Sequence, residues 1–137
     1  MLPIEFIIPG PPVSQQTRHR VQLHAWKGKV RTAARQRWPS DVLLVRDDVR
    51  IIVRYFHEKP TVRIDGDNLL KPVQDALIGL VYDDDRQVID AITQKRPIDD
   101  PVYVRHISRV LAEGFSQGDE FVYIRIGNVM DRARLLP

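Results

Sequence analysis

Residues 63–90 read RIDGDNLLKPVQDALIGLVYDDDRQVID. The stretch holds seven aspartates (Asp65, Asp67, Asp75, Asp83, Asp84, Asp85 and Asp90) and no glutamate. Between the first pair and the triplet, Leu69, Leu70, Val73, Ala76, Leu77 and Leu80 recur at three and four, the period of a helix with one apolar face. Asp67 or Asn68 is the expected N-cap. Pro72 has no N–H to donate, so it belongs near the first turn. Gly79 suits a left-handed stop. Immediately outward lie two strands: VRIIVRYFH (49–57), β-branched and aromatic, and QVIDAITQKR (87–96), which alternates. The quoted helix therefore joins two strands.

Further out, LPIEFII (2–8) reads as a strand ended by PGPP. A basic helix is expected from about Leu23 to Trp38, stopped by Pro39. A short helix is expected from Val102 to Phe115, and EFVYIRI (120–126) is a last strand. The tail NVMDRARLLP (128–137) is expected to fray or to dock on a partner. The sum is an α/β (α+β) fold: one small domain over residues 1–137, with a mixed sheet of about four strands and two or three helices.

With 137 residues, 43% of them hydrophobic, the chain can bury a core. There is no cysteine, which excludes disulfides and thiolate zinc sites. No apolar run approaches the roughly 20 residues that span a bilayer. The N-terminus lacks the basic start of a signal peptide, so a cytoplasmic protein without a membrane partner is expected. Net charge is only +3, but it is unevenly spread. Arg18 to Arg37 carries seven basic residues and no acid, and Asp65 to Asp100 carries nine acids. That pairing fits an anionic partner held by one segment and worked on at the other. Two solvated surfaces that never meet would give the same count.

In extended chain, positions i and i+2 face one side, so Asp65 and Asp67 are expected to converge. Two carboxylates held close repel, and one protonates unless a cation sits between them. Mg²⁺ is a hard ion of that kind, usually bound by a few carboxylates with waters and phosphate oxygens. A calcium loop fails on spacing. Counting from Asp65, the required glycine is Leu70 and the required glutamate is Ala76. Lys71, four residues after Asp67, is close enough to serve the same pocket and stabilise developing charge. An ordinary helix ion pair with Asp67 or Asp75 would also account for it.

D-G-D-N-L-L-K (65–71), D-A-L (75–77) and D-D-R-Q-V (84–88) together resemble the RusA family of Holliday junction resolvases. The strand running into PGPPVSQQTRHR is similar to that family's opening strand and basic loop. The resemblance implies a dimeric, Mg²⁺-dependent endonuclease, often prophage-borne, that cuts four-way DNA junctions in pairs. It implies catalytic Asp65, Asp67 and Asp85 holding the metal, with Lys71 as the essential basic residue. Asp84 and Asn68 are accessory candidates. Arg18, Arg20, Arg63, Lys95 and Arg96 are candidates for DNA backbone contacts. The stretch from Pro97 to Gly118 is longer than the short hairpin expected there. Two other readings stand beside this one: a nuclease for flaps, forks or other branched DNA, and a junction-binding protein that does not cut.

A homodimer is also expected from geometry. Eleven helical residues from Asn68 to Ile78 span about 16 Å. If the next strand begins where the helix ends, Asp85 stays apart from Asp65 and Asp67 of its own chain. A two-fold partner would then bring its acidic turn near the first pair.

Overall fold

The computed structural model describes residues 2–129 and 131–135. Four strands, β1 (Ile4–Pro9), β2 (Val49–His57), β3 (Val88–Pro97) and β4 (Phe121–Asn128), form one sheet in the order β1-β4-β2-β3. β4 pairs antiparallel with β1 and β2, and β2 pairs parallel with β3. Three helices, α1 (Arg20–Arg37), α2 (Gly66–Leu77) and α3 (Arg109–Ser116), complete the chain. The α+β class with a mixed four-stranded sheet is the one expected. Parallel β2 and β3 need a crossover, and α2 supplies it.

Strand alternation splits the side chains between two faces. Ile4, Phe6, Ile8, Val49, Ile51, Val53, Val122, Ile124 and Ile126 meet Trp26, Val30 and Ala34 of α1 and Leu69, Val73, Ala76 and Leu77 of α2. On the other face α3 covers a smaller cluster of Phe56, Val110, Leu111, Phe121 and Tyr123. β4 is buried on both faces, as its near-continuous apolar run requires.

Three sequence expectations are corrected. The N-cap of α2 is Asp65, neither Asp67 nor Asn68. Its carboxylate reaches forward to accept from the Asn68 N–H at 2.9 Å. Pro72 stands in the second turn rather than the first. Its missing N–H frees the Asn68 carbonyl, which accepts instead from the Gln15 N–H at 3.1 Å. The expected helix within Val102–Phe115 begins only at Arg109. Ser108 caps it by accepting from the Leu111 N–H, and His106 before it has φ +57. Gly79 does adopt the left-handed conformation, φ +79, just after α2.

The tail expectation falls partly on Met130, Leu136 and Pro137, outside the described residues. Arg132 does engage Asp48 at 3.1 Å. Among the described residues no helix is long and apolar enough to cross a membrane.

The basic helix α1 turns part of its charge inward. The Arg31 guanidinium donates to the carbonyls of Ala76 (3.1 Å) and Ile78 (2.9 Å), capping the C-terminal end of α2 where the helix dipole favours a cation. Lys27 lies 3.5 Å from Asp75 on the same helix. Arg31 and Lys27 thus have internal partners, whereas Arg18, Lys29, Arg35 and Arg37 are exposed. Arg31→Ala is expected to cost about 2 kcal/mol of stability, lowering Tm by several degrees, because charged hydrogen bonds to two carbonyls are lost. Its junction affinity should keep the wild-type dependence on salt. A flatter salt slope would assign Arg31 to the DNA interface instead.

Candidate active site

The segment carrying the first two aspartates is fastened from several sides. Lys95, on β3, donates its ammonium to the Ile64 carbonyl at 2.7 Å. Gly66 lies so close to β3 that a Cβ there would come within 2.6 Å of the Thr93 hydroxyl. The Asp65 cap closes the first turn, and Gln15 ties the N-terminal loop to Asn68. The D-G-D spelling thus has a steric reason. The middle residue faces a strand and the two outer ones face solvent, where both carboxylates are exposed.

The expected basis for their convergence does not hold. Gly66 and Asp67 are already helical, so extended-chain alternation does not apply. Instead both carboxylates stand at a helix N-terminus, where unpaired N–H groups and the helix dipole stabilise negative charge. Asp65 has a structural duty as cap in addition to any chemistry.

Lys71 stands six residues beyond Asp65, roughly 9 Å along the helix axis. Its ammonium lies 2.8 Å from Asp75 and 2.9 Å from Asp85, with the lysine side chain 44% exposed. The hydrogen bond to Asp75, and next that to Asp85, raises its pKa above the ordinary lysine value. Lys71 is therefore a fixed cation at neutral pH and is unsuited to be a general base. The i,i+4 pair with Asp75 forms as read from spacing. Its junction with Asp85 joins the helix to the acidic turn.

That turn is a short 3₁₀ helix, Asp85–Gln87. Asp84 caps it by accepting from the Arg86 N–H at 2.9 Å. That backbone bond, then the Arg86 guanidinium at 3.0 Å, lowers the Asp84 pKa to about 2. Asp83 pairs loosely with Arg46 at 3.4 Å. Gln87 holds the whole turn. Its amide oxygen accepts from the N–H groups of Asp83 and Asp84, and its amide nitrogen donates to the carbonyls of Val45 and Asp47. Gln87 lies within D-D-R-Q-V, a motif that by itself assigns it no task. Lys95, a candidate for a DNA backbone contact, braces the Ile64–Asp65 backbone. The signals were weak. The Lys95 ammonium and the Gln87 amide nitrogen find their carbonyl partners in distant segments.

The other basic candidates divide. Arg20 folds back on its own loop, donating to the carbonyls of Gln15 and Thr17 at 2.9 and 3.3 Å. Arg18 and Arg63 are exposed, and among the described residues neither has an acidic partner. Arg96 is exposed and follows Lys95 on β3, so its side chain leaves the opposite face of the sheet.

Asp65 and Asp67 suit a hard divalent ion. They offer exposed carboxylate oxygens, and among the described residues no lysine or arginine neutralises them. Asp85 is already engaged by Lys71. Among the described residues, no three histidine, aspartate or glutamate side chains are placed to share one ion.

A small α+β fold with an exposed acidic pair beside a fixed lysine suits an enzyme that acts on a phosphate-bearing polymer, and the family comparison agrees. The sequence profile of the family Endodeoxyribonuclease RusA matches residues 9–105. The chain belongs to the RusA family of endodeoxyribonucleases, the Holliday junction resolvases it resembles. The match covers the last residue of β1, then α1, β2, α2 and β3; α3 and β4 lie beyond it. No curated protein matches the chain.

Proposed function

We propose that this protein is a Mg²⁺-dependent homodimeric endonuclease that resolves four-way DNA junctions by paired phosphodiester hydrolysis in recombination or repair. The observation that carries the reading is the mounting of Asp65 and Asp67. Two exposed carboxylates are held in one helical turn by Lys95, the Gly66–Thr93 contact and Gln15. Such rigidity is what a metal site needs and a solvated surface does not.

Asp65 and Asp67 hold the metal, and Asp85 completes the set. When bound, the metal supplies a lowered water pKa and neutralises phosphate charge. Lys71 stays protonated and offers its charge to the phosphoryl oxygens as negative charge grows there. Asp75 and Asp85 keep its ammonium in one place. Asp85 is tied to Lys71 of its own chain, and in the dimer a second protomer can offer its Asp85 to the first pair. The whole chain from residue 1 to 137 acts as one catalytic domain.

The test is a synthetic four-way junction beside a matched duplex and a flap, each with Mg²⁺ or EDTA. The junction should be cut in symmetric pairs with Mg²⁺ only and bound in both conditions. Faster cutting of the flap than of the junction would shift the substrate to other branched DNA. Binding without product under any divalent metal would refute the nuclease reading.

A further inference from the structure

On the face of the sheet away from α1 and α2, a groove of about 610 Å³ runs beside α3. Its floor comes from three neighbouring strands. Arg54 on β2 stands between Gln94 on β3 and Tyr123 on β4, as the strand registers require. The Arg54 guanidinium donates to the Gln94 amide oxygen at 2.7 Å and lies 5.5 Å from the centre of the Tyr123 ring. Arg96 and Arg125 flank this row, and the segment Pro101–His106 forms the wall.

The lining includes four arginines (Arg54, Arg96, Arg105 and Arg125) and no aspartate or glutamate. Across the sheet, Glu5 is paired in register with Arg125. It is taken up by the Tyr123 hydroxyl at 2.6 Å. In a chain of net charge only +3, an acid-free groove with four arginines is a concentrated positive site.

The wall adds an aromatic surface. Tyr103 is 92% exposed on the groove, although a tyrosine usually hides most of its ring. His106, also lining the groove, holds φ +57, a left-handed conformation uncommon outside glycine. Backbone outliers of this kind gather where a loop presents side chains to a ligand.

We propose that this groove binds an unpaired DNA strand, with Arg96, Arg105 and Arg125 on its phosphates and Tyr103 stacked on a base. Arginines in a row match a polyanion. An exposed aromatic platform selects bases that are free to stack, which those inside a duplex are not. The face is separate from the one bearing Asp65 and Asp67, so strand capture here and hydrolysis there do not compete for space. The use of the groove on branched DNA rests on the proposed nuclease function. The binding itself does not.

The experiment uses the full chain in EDTA, with fluorescence anisotropy on an oligothymidylate of about twelve nucleotides, within the site size of such grooves. A blunt duplex of equal length is the control. The wild type should bind the single strand more tightly than the duplex. Tyr103→Ala combined with Arg105→Ala should weaken single-strand binding at least tenfold and flatten its salt dependence. Both side chains are exposed, so the double variant should melt like the wild type. Equal binding of strand and duplex, or a double variant that binds like the wild type, overturns the proposal. So does a double variant that sediments as a smaller species, because the groove is then covered by a second copy. A wild type that binds the strand here yet cuts no junction refutes the nuclease reading alone. A wild type that cuts junctions while the double variant keeps full strand binding refutes the groove alone.

Discussion

Asp67→Asn is expected to abolish cutting of a four-way junction while junction affinity in EDTA stays equal or rises. Asp67 is exposed in the first turn of α2 and has no neutralising lysine or arginine among the described residues. Its removal therefore breaks no internal contact that is visible there. The amide keeps the shape and loses the charge a divalent ion requires. One fewer anion beside the phosphates favours binding, which sets the sign. The fold should survive, since asparagine in the first turn loses only the favourable dipole term of about 0.3–1 kcal/mol. Gel separation of junction products and a melting curve read both halves. Cutting at near wild-type rate with Mg²⁺ would remove Asp67 from the site. The same variant tests whether sites are shared. Mixed with Asp85→Asn subunits, it should recover part of the activity if each site draws residues from two chains. A mixture as inactive as either parent would place the full set within one chain.

Lys71→Ala is expected to lower the cutting rate by roughly two to three orders of magnitude, the usual effect of deleting a group that stabilises transition-state charge. Stability should change little. Both ion pairs of Lys71 are partly exposed, and an i,i+4 pair contributes only about 0.3–0.5 kcal/mol. Lys27, 3.5 Å from Asp75, remains to offset the bared carboxylate. The contrast between a large kinetic loss and a small change in Tm separates a chemical role from a structural one. Lys71→Arg sharpens it by keeping the charge but changing its position, and partial activity is the expected result. Parallel loss of activity and Tm in the alanine variant would mean that Lys71 chiefly anchors the acidic turn to α2. Because its partners raise its pKa, the wild-type rate should show no loss from lysine deprotonation as pH rises through neutrality toward 10. A falling rate between neutral pH and 9 that disappears in Lys71→Arg would contradict the fixed-cation role.

The sequence by itself determined the elements whose signals are local. β2 is found over residues 49–57 as read, because β-branched and aromatic residues there prefer a pleated, buried environment. The period of three and four between Leu69 and Leu77 placed α2, and a helical face is a property of spacing alone. The grouping of Asp65, Asp67, Lys71 and Asp85 into family motifs was legible for the same reason: each motif spans only a few residues.

Tertiary structure decided what depends on approach between distant segments. Asp65 became the cap because the Lys95–Ile64 bond and the tight Gly66–Thr93 contact set where the chain turns into α2. Pro72 is tolerated in the second turn because a loop more than fifty residues upstream supplies the Gln15 N–H to the carbonyl it leaves free. Arg31 and Lys95 look like DNA contacts in a linear charge count, yet each spends its charge on a carbonyl of another segment. α3 starts at Arg109 rather than Val102, and residues 101–106 instead form a wall over the sheet. Local periodicity reports which face of an element seeks burial. It carries no information about which distant donor or acceptor will meet a given backbone group, and those meetings set the position of the carboxylates.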